Sequence, residues 1–398
     1  MRSMPCSPIP DGDRMNTRFP PGFIYFVLLI SVQAMFLRLV GFFMPIYFES
    51  LHFSGFQIGL YFSISGIAAI VFSLPMGIGA DRISVRFILA ASFLLIAASY
   101  AGFLVTRSFT AFCIIAFIGS FGSRFYQIAV NAMFFKIRTH DHRDAGVFST
   151  FNSFAMGIGI VAGGVLLAIA DFQLLFTVKV ISYLVFAVLA LFLPRTETVS
   201  IRLAEYQREV FTPKVLSLCV IFFLSSFHWG AEIVSYGPFL KQTLLLSPVG
   251  IGLYTGIGMI FVGIGAFIGM QLIARKIVRS MMTLLMIGFF LSGVFHVLMC
   301  VPNLPASFAL RMVHEIGDGF ISFSFFYGAA KLFRIDRVGG ASAFITLWQS
   351  SGAMAGSAIF GVVGARYGHA VPLISSGIVL MFVPVGIALL RKSGFVRY

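Results

Sequence analysis

The residues of this chain best suited to chemistry are four ionisable side chains in one otherwise apolar segment, LRMVHEIGDGF, at positions 310–320. Arg311, His314, Glu315 and Asp318 are spaced i, i+3, i+4 and i+7, which puts them on one face of a helix. A face with one arginine, one histidine and two acids can bind and release a proton, because imidazole titrates near neutral pH. We therefore predict a proton-coupling site, the alternative being a structural network of salt bridges.

A second pair of ionisable residues has the same helical spacing. His228 and Glu232 are four residues apart in an apolar segment, and Ser225 and Tyr236 extend the same stripe. Ionisable side chains in such segments are costly to bury and tend to face a cavity or a partner. His228 and Glu232 are thus a second candidate for proton coupling. In the alternative interpretation, Glu232 pairs with an arginine from the other half of the chain and only neutralises it.

The first half of the chain contributes basic rather than acidic side chains to its apolar segments. Arg38 and Arg124 lie midway along two of them, and Gln127 and Asn131 share a helical face with Arg124. Asn152 adds a polar group in the next segment. Arginine suits planar, bidentate recognition of carboxylate or phosphate, so we predict that these residues bind an anionic solute. For Arg124, a structural or gating role is the alternative.

These charged residues lie in a chain dominated by apolar side chains. Charged residues make up 11% and apolar residues 59% of its 398 residues, against roughly 25% and 45–50% in soluble domains. Such a composition predicts an integral membrane protein whose spans need about 20 apolar residues each. Twelve such runs are present, at 22–48, 55–80, 86–106, 109–135, 146–170, 174–193, 214–240, 249–273, 280–300, 306–330, 341–363 and 370–390. The expected fold class is an all-α membrane protein with twelve transmembrane helices.

Lysine and arginine are distributed unevenly among the polar segments between these runs. If the N-terminus is cytosolic, 21 of them fall in inner segments and three, Arg107, Lys241 and Arg366, in outer loops. The positive-inside rule then predicts a multi-pass protein of the cell's inner (plasma) membrane with both termini in the cytoplasm. The formal charge of +14 follows from those loops, so no nucleic-acid partner is expected. Lys179, about five residues from the outer end of its run, is expected to extend its ammonium group to the interface.

The chain also contains an internal repeat. The tetrapeptide IGLY occurs at 58–61 and again at 251–254, an offset of 193 residues that also aligns Pro45 with Pro238 and Gly159 with Gly352. We interpret this as two parallel six-helix units around a central cavity, with the solute site near the midplane. The predicted organisation is a cytosolic tail (1–21), a first bundle (22–193), a cytosolic linker (194–213), a second bundle (214–390) and a cytosolic tail (391–398).

The loop after the second run, PMGIGADRISVR, contains Gly77, Asp81, Arg82 and Arg86. Their spacing resembles the cytosolic signature G-x-x-x-D-R/K-x-G-R/K-R/K of the major facilitator superfamily (MFS). The chain departs from the signature at residues 84 and 85, where serine and valine replace a glycine and a basic residue. The resemblance implies a gating role for these four residues, in which Asp81 pairs with a neighbouring arginine in one conformation. The alternative for the arginines is that they only set topology.

Two further segments are similar to patterns of the same family. Arg124 and Gln127 fit R-x-x-Q-G-x-x-x-A, with Ile128 in place of glycine. The segment GIGIVAGG at 157–164 is similar to the antiporter-associated signature G-P-x-x-G-G, with Ile160 in place of proline. That departure disfavours drug/proton antiport, and we interpret the glycines as helix-packing residues. The resemblance implies the MFS fold, transport by alternating access, and no enzymatic activity or cofactor.

These observations predict a secondary active transporter of a small organic anion, coupled to protons by symport and acting as a monomer in the lipid bilayer. One alternative is an efflux exporter of amphiphilic drugs or lipids. A remote alternative is an intramembrane metalloenzyme, because His314, Glu315 and Asp318 resemble the H-E-x-x-H zinc motif. The second histidine of that motif is missing and Arg311 would repel a cation, so we expect no metal.

Overall fold

The computed structural model describes residues 20–137, 142–196, 198, 211–332 and 338–392, and in these ranges the regular structure is entirely helical. The first six predicted runs correspond to α1 (Pro21–Gly41) with α2 (Met44–Ser50), α3 (Gly55–Arg82), α4 (Val85–Val105), α5 (Phe109–Ile137), α6 (His142–Ile169) and α7 (Phe172–Ala190). The seventh run is α8 (Pro213–Ala231), a π-helical turn (Glu232–Tyr236) and α9 (Gly237–Gln242). The last five are α10 (Pro248–Ala274), α11 (Met281–Leu298), α12 (Leu304–Leu332), α13 (Val338–Tyr367) and α14 (Ala370–Lys392).

Ten helical segments of the described chain are long and apolar enough to cross a membrane. The two long helices that do not meet this criterion are α12 and α13, which have 29 and 30 residues. Both exceed the length of about 20 residues that a span requires. The chain is therefore an all-helical, multi-span membrane protein, as its composition predicted. The predicted tails and the linker lie largely outside the described residues, so the division into two bundles stays a prediction.

The first and seventh runs are both interrupted next to a proline. Phe42 and Phe43 separate α1 from α2, and Pro45 lies in the first turn of α2. Pro238 lies in the first turn of α9, directly after the π-helical turn. Proline cannot donate the backbone hydrogen bond that an uninterrupted helix would need there. The two prolines that the 193-residue offset aligns thus mark irregularities in corresponding segments.

Glycines bring α6 into close contact with α1. A Cβ atom on Gly159 would collide with the backbone oxygen of Met35, and one on Gly163 would collide with that of Leu39. Only glycine allows the two backbones to approach this closely. The interpretation of these glycines as helix-packing residues is confirmed.

The second half repeats this contact between α13 and α8, with a change of register. Gly352 lies against the backbone oxygen of Phe223 as Gly159 lies against that of Met35. Gly352 follows Gly159 by 193 residues, but Phe223 follows Met35 by 188. The single offset therefore holds for α6 and α13, whereas the packing of the first and seventh runs has slipped by more than one helical turn.

The two helix pairs with the most extensive contacts between the halves, α3–α13 and α6–α10, are packed through glycine. A Cβ atom on Gly361 of α13 would lie 2.8 Å from the Cα of Gly59 of α3. A Cβ atom on Gly252 of α10 would lie 3.1 Å from the Cα of Gly164 of α6. Gly252 follows Gly59 by 193 residues, whereas Gly361 follows Gly164 by 197. The two helix pairs therefore correspond under the repeat, with a shift of about one helical turn in their register.

The halves also meet at both ends of the bundle, which we name the Glu49 end and the Asp81 end after a residue at each. At the Glu49 end, the Gln242 amide donates a hydrogen bond of 3.2 Å to Glu49. At the Asp81 end, the rings of Phe326 on α12 and Phe134 on α5 have their centroids 4.7 Å apart. In the described residues the two halves are thus in contact at both ends.

Candidate functional site

The four ionisable residues of α12 are buried together, as their spacing predicted. Their exposed fractions are 3% for Arg311, 0% for His314, 3% for Glu315 and 7% for Asp318. Two glycines make room for them. A Cβ atom on Gly317 would lie 2.6 Å from the backbone nitrogen of Ser292 on α11, and one on Gly258 of α10 would lie 2.9 Å from a carboxylate oxygen of Glu315.

Arg311 holds two carboxylates at once. Its Nη1 donates to Oε1 of Glu232 at 2.6 Å, and its Nη2 lies 2.5 Å from Oε1 of Glu315. Its guanidinium carbon lies 4.2 Å from the centroid of the Tyr236 ring, within cation–π range. Glu232 and Tyr236 begin and end the π-helical turn, a distortion that is frequent at functional sites. Glu232 therefore pairs with an arginine of its own half, and the alternative of a partner from the other half was wrong.

His314 is held between α11 and two carboxylates. Its Nδ1 lies 2.8 Å from the carbonyl oxygen of Ser292. Since a carbonyl oxygen only accepts, Nδ1 carries the hydrogen. Its Nε2 faces Oε1 of Glu232 at 3.6 Å and Oδ2 of Asp318 at 3.7 Å. The Ser292 hydroxyl donates to the other oxygen of Asp318 at 2.6 Å, which fixes that carboxylate next to the imidazole.

Two further imidazoles complete the cluster. The rings of His228 on α8 and His296 on α11 are fully buried, with centroids 4.1 Å apart, and Nδ1 of His296 lies 3.7 Å from Oε1 of Glu232. The four ring nitrogens of these histidines have no hydrogen-bond partner within the described residues. Buried polar atoms are normally paired, so these atoms call for a function or a ligand.

The cluster also has the donor set of a metal site. One ligand atom each of His228, Glu232, His296 and His314 lies within 4.8 Å of the others. Three imidazoles and a carboxylate would suit zinc. However, the guanidinium of Arg311 is 2.6 Å from the carboxylate of this set and repels a cation. The charges of the site therefore suit protons and anions better than a metal ion.

The predicted basic residues of the first half lack carboxylate partners in the described chain. Arg38 is half-buried, and its Nε donates to Sδ of Met156 at 3.3 Å. It lies within electrostatic range of Glu232 and Glu315 across the interface between the halves. Arg124 is also half-buried, and its buried Nε has no hydrogen-bond partner among the described residues.

Lys179 is a third cation of this region, and the expectation that it reaches the interface was wrong. Its side chain is fully buried in α7. Its ammonium group donates to the carbonyl oxygen of Leu37 at 3.0 Å and to the Tyr100 hydroxyl at 2.7 Å. It lies 4.0 Å from the centroid of the Tyr100 ring. One backbone carbonyl and two tyrosine rings therefore surround the ammonium group inside the bundle. Leu37, which provides the carbonyl, directly precedes Arg38.

The polar residues predicted to bind the solute are not joined to the two arginines. Gln127 is exposed, and Asn131 and Asn152 are half-buried. The buried Oδ1 of Asn152 lacks a partner in the part of the chain that the structure describes. Their roles as solute contacts stay predictions.

The four residues of the loop motif lie at the Asp81 end. Asp81 is fully buried and its Oδ1 lies 3.7 Å from the ammonium nitrogen of Lys136 on α5. Gly77 is buried and Arg82 is exposed. Arg86 donates to a backbone carbonyl just after α7 at 3.4 Å. The structure thus gives Asp81 a partner on α5 that the local sequence did not indicate.

Sequence reasoning missed Ser292 and His296, the two α11 residues of the cluster. A signal for His296 was present, because it is an ionisable residue inside a predicted span. No signal in the sequence indicated Ser292, because serine is common in apolar helices. Its role depends on its hydrogen bond to Asp318, which only the structure shows. Both residues show their role only when α11 is packed against α12.

Ionisable side chains buried inside a multi-span helical fold are typical of ion and solute pathways in membrane transporters. The family profile of the Major Facilitator Superfamily matches residues 26–291, more than half of the chain. The chain belongs to this family and is a secondary transporter of the MFS type. Because the family consists of transporters, the prediction that the protein is not an enzyme is confirmed.

Solved transporters share this fold at low sequence identity. The human organic anion transporter MFSD10 is 14% identical with a TM-score of 0.70, over 92% of this chain and 99% of that chain. The nucleoside transporter NupG is 15% identical with a TM-score of 0.67, over 94% and 100% of the two chains. A bacterial homologue of the human lysosomal transporter Spinster, inward-facing and occupied, is 12% identical with a TM-score of 0.73, over 93% and 96%. No curated protein matches the chain in sequence.

Proposed function

We propose that the protein is a proton-coupled secondary transporter of a small organic anion. Solute and proton move by symport, with the solute bound between the halves and the proton bound at the α12 cluster. Arg38 and Arg124 contact the anionic group. Glu232, His314, Glu315 and Asp318 supply the proton-binding groups, and Arg311 links them to the solute.

The observation that carries this proposal is the distribution of buried charge. In the described part of the first six runs, Arg38, Arg124 and Lys179 lie inside helices, whereas the acids Glu49, Asp81, Asp144 and Asp171 all lie within three residues of a helix end. In the second half, three acids and one arginine are buried together. Lys179 is buried, Arg38 and Arg124 are half-buried, and none of the three forms a salt bridge with an acid among the described residues. An anionic solute would supply the missing counter-charge.

The solutes named for two solved transporters of the same fold are consistent with a small organic solute. MFSD10 is described as an organic anion transporter and NupG as a nucleoside transporter. At these identities the fold is shared and the solute need not be, so the charge distribution rather than the likeness supports an anion.

In this proposal the protein is a monomer of the plasma membrane with cytosolic termini. Gly77, Asp81, Arg82 and Arg86 contribute to a gate at the Asp81 end.

The proposal is tested in proteoliposomes that contain a pH-sensitive dye. Purified protein is exposed to benzoate, succinate, glycerol 3-phosphate, uridine and an amphiphilic cation. We expect at least one anion to carry protons into wild-type vesicles. Arg38→Gln should weaken the apparent affinity for that anion by about tenfold or more, the effect of removing a charged hydrogen-bond partner. Asp318→Asn should reduce the proton movement that the anion causes.

Arg275→Gln is the matched control, because Arg275 is exposed beyond the end of α10 and should transport like wild type. If only the amphiphilic cation moves protons, the protein is an exporter and the anion assignment is wrong. If uridine alone is transported, Arg38 and Arg124 do not bind an anionic solute and the anion assignment is wrong. If Asp318→Asn equals wild type, Asp318 is structural and proton coupling must be sought at the other cluster residues.

A further inference from the structure

We propose that the coupled proton binds to Nε2 of His314. The resulting imidazolium donates a hydrogen bond to Glu232 and displaces Arg311 from this carboxylate. The guanidinium of Arg311 is then free to bind the anionic group of the solute. This inference rests on the proposed function and assigns it a specific switch. The proton comes from solution, sits on one nitrogen, and leaves from the same nitrogen when the solute is released.

The hydrogen-bond geometry of His314 identifies Nε2 as the atom that binds the proton. Nδ1 donates to the carbonyl oxygen of Ser292 at 2.8 Å, so in the neutral ring Nε2 has a lone pair and no hydrogen. Yet Nε2 faces Glu232 at 3.6 Å and Asp318 at 3.7 Å, two acceptors, and makes no hydrogen bond with the described residues. A lone pair opposite two carboxylates is unfavourable, whereas an N–H there donates to either one. The site is therefore built for a proton on Nε2.

Glu232 is the group for which His314 and Arg311 compete. Its Oε1 accepts from Arg311 at 2.6 Å and is the same oxygen that Nε2 of His314 faces at 3.6 Å. Without the added proton, Arg311 is the cation nearest to Glu232. When the imidazole becomes positive, a short movement brings its N–H into hydrogen-bond distance. Arg311 then keeps Glu315, its partner one helical turn away, and has one end of its guanidinium available.

The charged groups around His314 favour the replacement of Arg311 by His314 at Glu232 over a state in which both cations contact Glu232. His228 and Glu232 face it from the seventh run, His296 from α11, and Arg311, Glu315 and Asp318 from α12. A second positive charge next to Arg311 would be repelled if both cations stayed at Glu232. Release of Arg311 towards an anion removes that repulsion, so proton and anion bind more tightly together than separately.

The anion has a defined place in this arrangement. Arg38 lies within electrostatic range of Glu232 and Glu315, the two partners of Arg311. Arg38 belongs to α1 in the first half and Arg311 to α12 in the second, so the two arginines lie on opposite sides of the interface between the halves. A carboxylate or phosphate bound by both would connect α1 with α12. The solute class that fits is a small molecule with one compact anionic group, which can be held by two guanidinium groups.

The proton site is tested first without a solute. Protein labelled with 15N-histidine is placed in nanodiscs, and the imidazole signals are followed by NMR across the range in which histidine titrates, about pH 5 to 8. We expect a signal with the pattern of a ring protonated at Nδ1 to become doubly protonated, and to be missing in His314→Gln. In Glu232→Gln this titration should require a lower pH, because the negative charge that stabilises the imidazolium is lost.

The switch is tested by binding of benzoate, succinate and glycerol 3-phosphate at several pH values. In wild type the affinity for the anion that binds should rise by up to about tenfold per pH unit as pH falls, because one proton binds with one anion. His314→Gln should lose this dependence and bind weakly at every pH. Glu232→Gln should also lose it but bind tightly at every pH, because Arg311 is permanently released. His52→Gln, in the exposed loop after α2, is the matched control and should behave as wild type.

Glu232→Gln separates the switch from a structural role. If the cluster only stabilises the fold, this variant and His314→Gln should both bind weakly, and the inference is overturned. It is also overturned if His314 keeps a single ring proton throughout the titration while an anion still moves protons in wild type. If no anion moves protons in wild type, the proposed function fails, and the NMR titration still decides whether His314 takes up a proton.

Discussion

Arg311 carries the charge balance of the cluster. One guanidinium contacts Glu232 at 2.6 Å and Glu315 at 2.5 Å, and all three side chains are buried. Taking charges out of water is expensive, and a buried pair is tolerated only if each charge keeps its partners. The buried α12 face is thus stable as a set, and the loss of one member affects all the others.

Arg311→Gln should destabilise the fold by about 3–5 kcal/mol, because it leaves two buried carboxylates without their cation. The double variant Arg311→Gln/Glu232→Gln should recover part of this loss, since it removes one of the unpaired charges. Unfolding in mixed micelles at increasing SDS measures both effects. Arg275→Gln, at an exposed position, is the control. A double variant no more stable than Arg311→Gln would show that the two residues are not coupled.

At the residue scale, the sequence predicts contacts within a helix and misses contacts between helices. Arg311 and Glu315 belong to one run, so their spacing alone predicts that they share a face. His296 comes from another run, and only the packing of α11 on α12 brings it to Glu232. Lys179 shows that the position of a residue within its run does not predict its partners. Its distance from the end of a run suggested an interfacial position, but the Tyr100 hydroxyl and a backbone carbonyl provide partners inside the bundle.

At the scale of helices, close approach depends on glycine at a few positions. Gly159 of α6 and Gly352 of α13 both lie against a backbone oxygen of a neighbouring helix. In a membrane there is little hydrophobic drive between helices, so such close packing is a main source of their association. These contacts hold α1 against α6 and α8 against α13, and they thereby position Arg38 and Glu232.

Gly159→Ala and Gly352→Ala should each destabilise the fold by about 1–3 kcal/mol, the cost of forcing an extra methyl group into a packed contact. Gly79→Ala is the matched control, because nothing lies within 4 Å of a Cβ atom at that position of α3. It should be neutral or stabilising by about 1 kcal/mol, since alanine favours helix. SDS unfolding again provides the measurement, and equal effects at all three positions would refute the packing argument.

The helices themselves were predictable because each needs only a long apolar run and a polar boundary. Every predicted run coincides with a helical segment whose ends differ by at most four residues. The π-helical turn at Glu232–Tyr236 was not predictable, although Pro238 marked an irregularity nearby. The register slip between the first and seventh runs was also hidden, because Pro45 and Pro238 align at the offset of 193 residues while the packed faces do not.

At the scale of the whole molecule, the two halves are in contact at both ends, and transport requires that the ends open in turn. The Glu49 end contains a small polar contact set. Glu49 accepts a hydrogen bond from Gln242 at 3.2 Å and lies 3.8 Å from Nε2 of His369, a residue between α13 and α14. These side chains line a pocket of about 280 Å³ that also includes Ile58 of α3 and Val234 of the seventh run.

Burial lowers the pKa of His369 below its usual value, so the closed Glu49 end favours the neutral imidazole. When this end opens and His369 is hydrated, the imidazole binds protons more readily. The closed state therefore loses stability as pH falls from the ordinary pKa of histidine, about 6.5, towards the lowered one. Opening of the Glu49 end should accordingly increase in acid, with His369 as the titrating group.

Cysteine accessibility measures this opening. Ile58→Cys is introduced after the native cysteines are replaced by serine, and its alkylation rate is divided by that of His52→Cys, an exposed reference that corrects for thiol ionisation. The ratio should stay level above about pH 7 and rise as pH falls below the ordinary histidine pKa of about 6.5. His369→Gln should make the ratio independent of pH, because no charge is then added to the closed end. A pH dependence that survives in His369→Gln would assign the opening to another group and leave His369 as a packing residue.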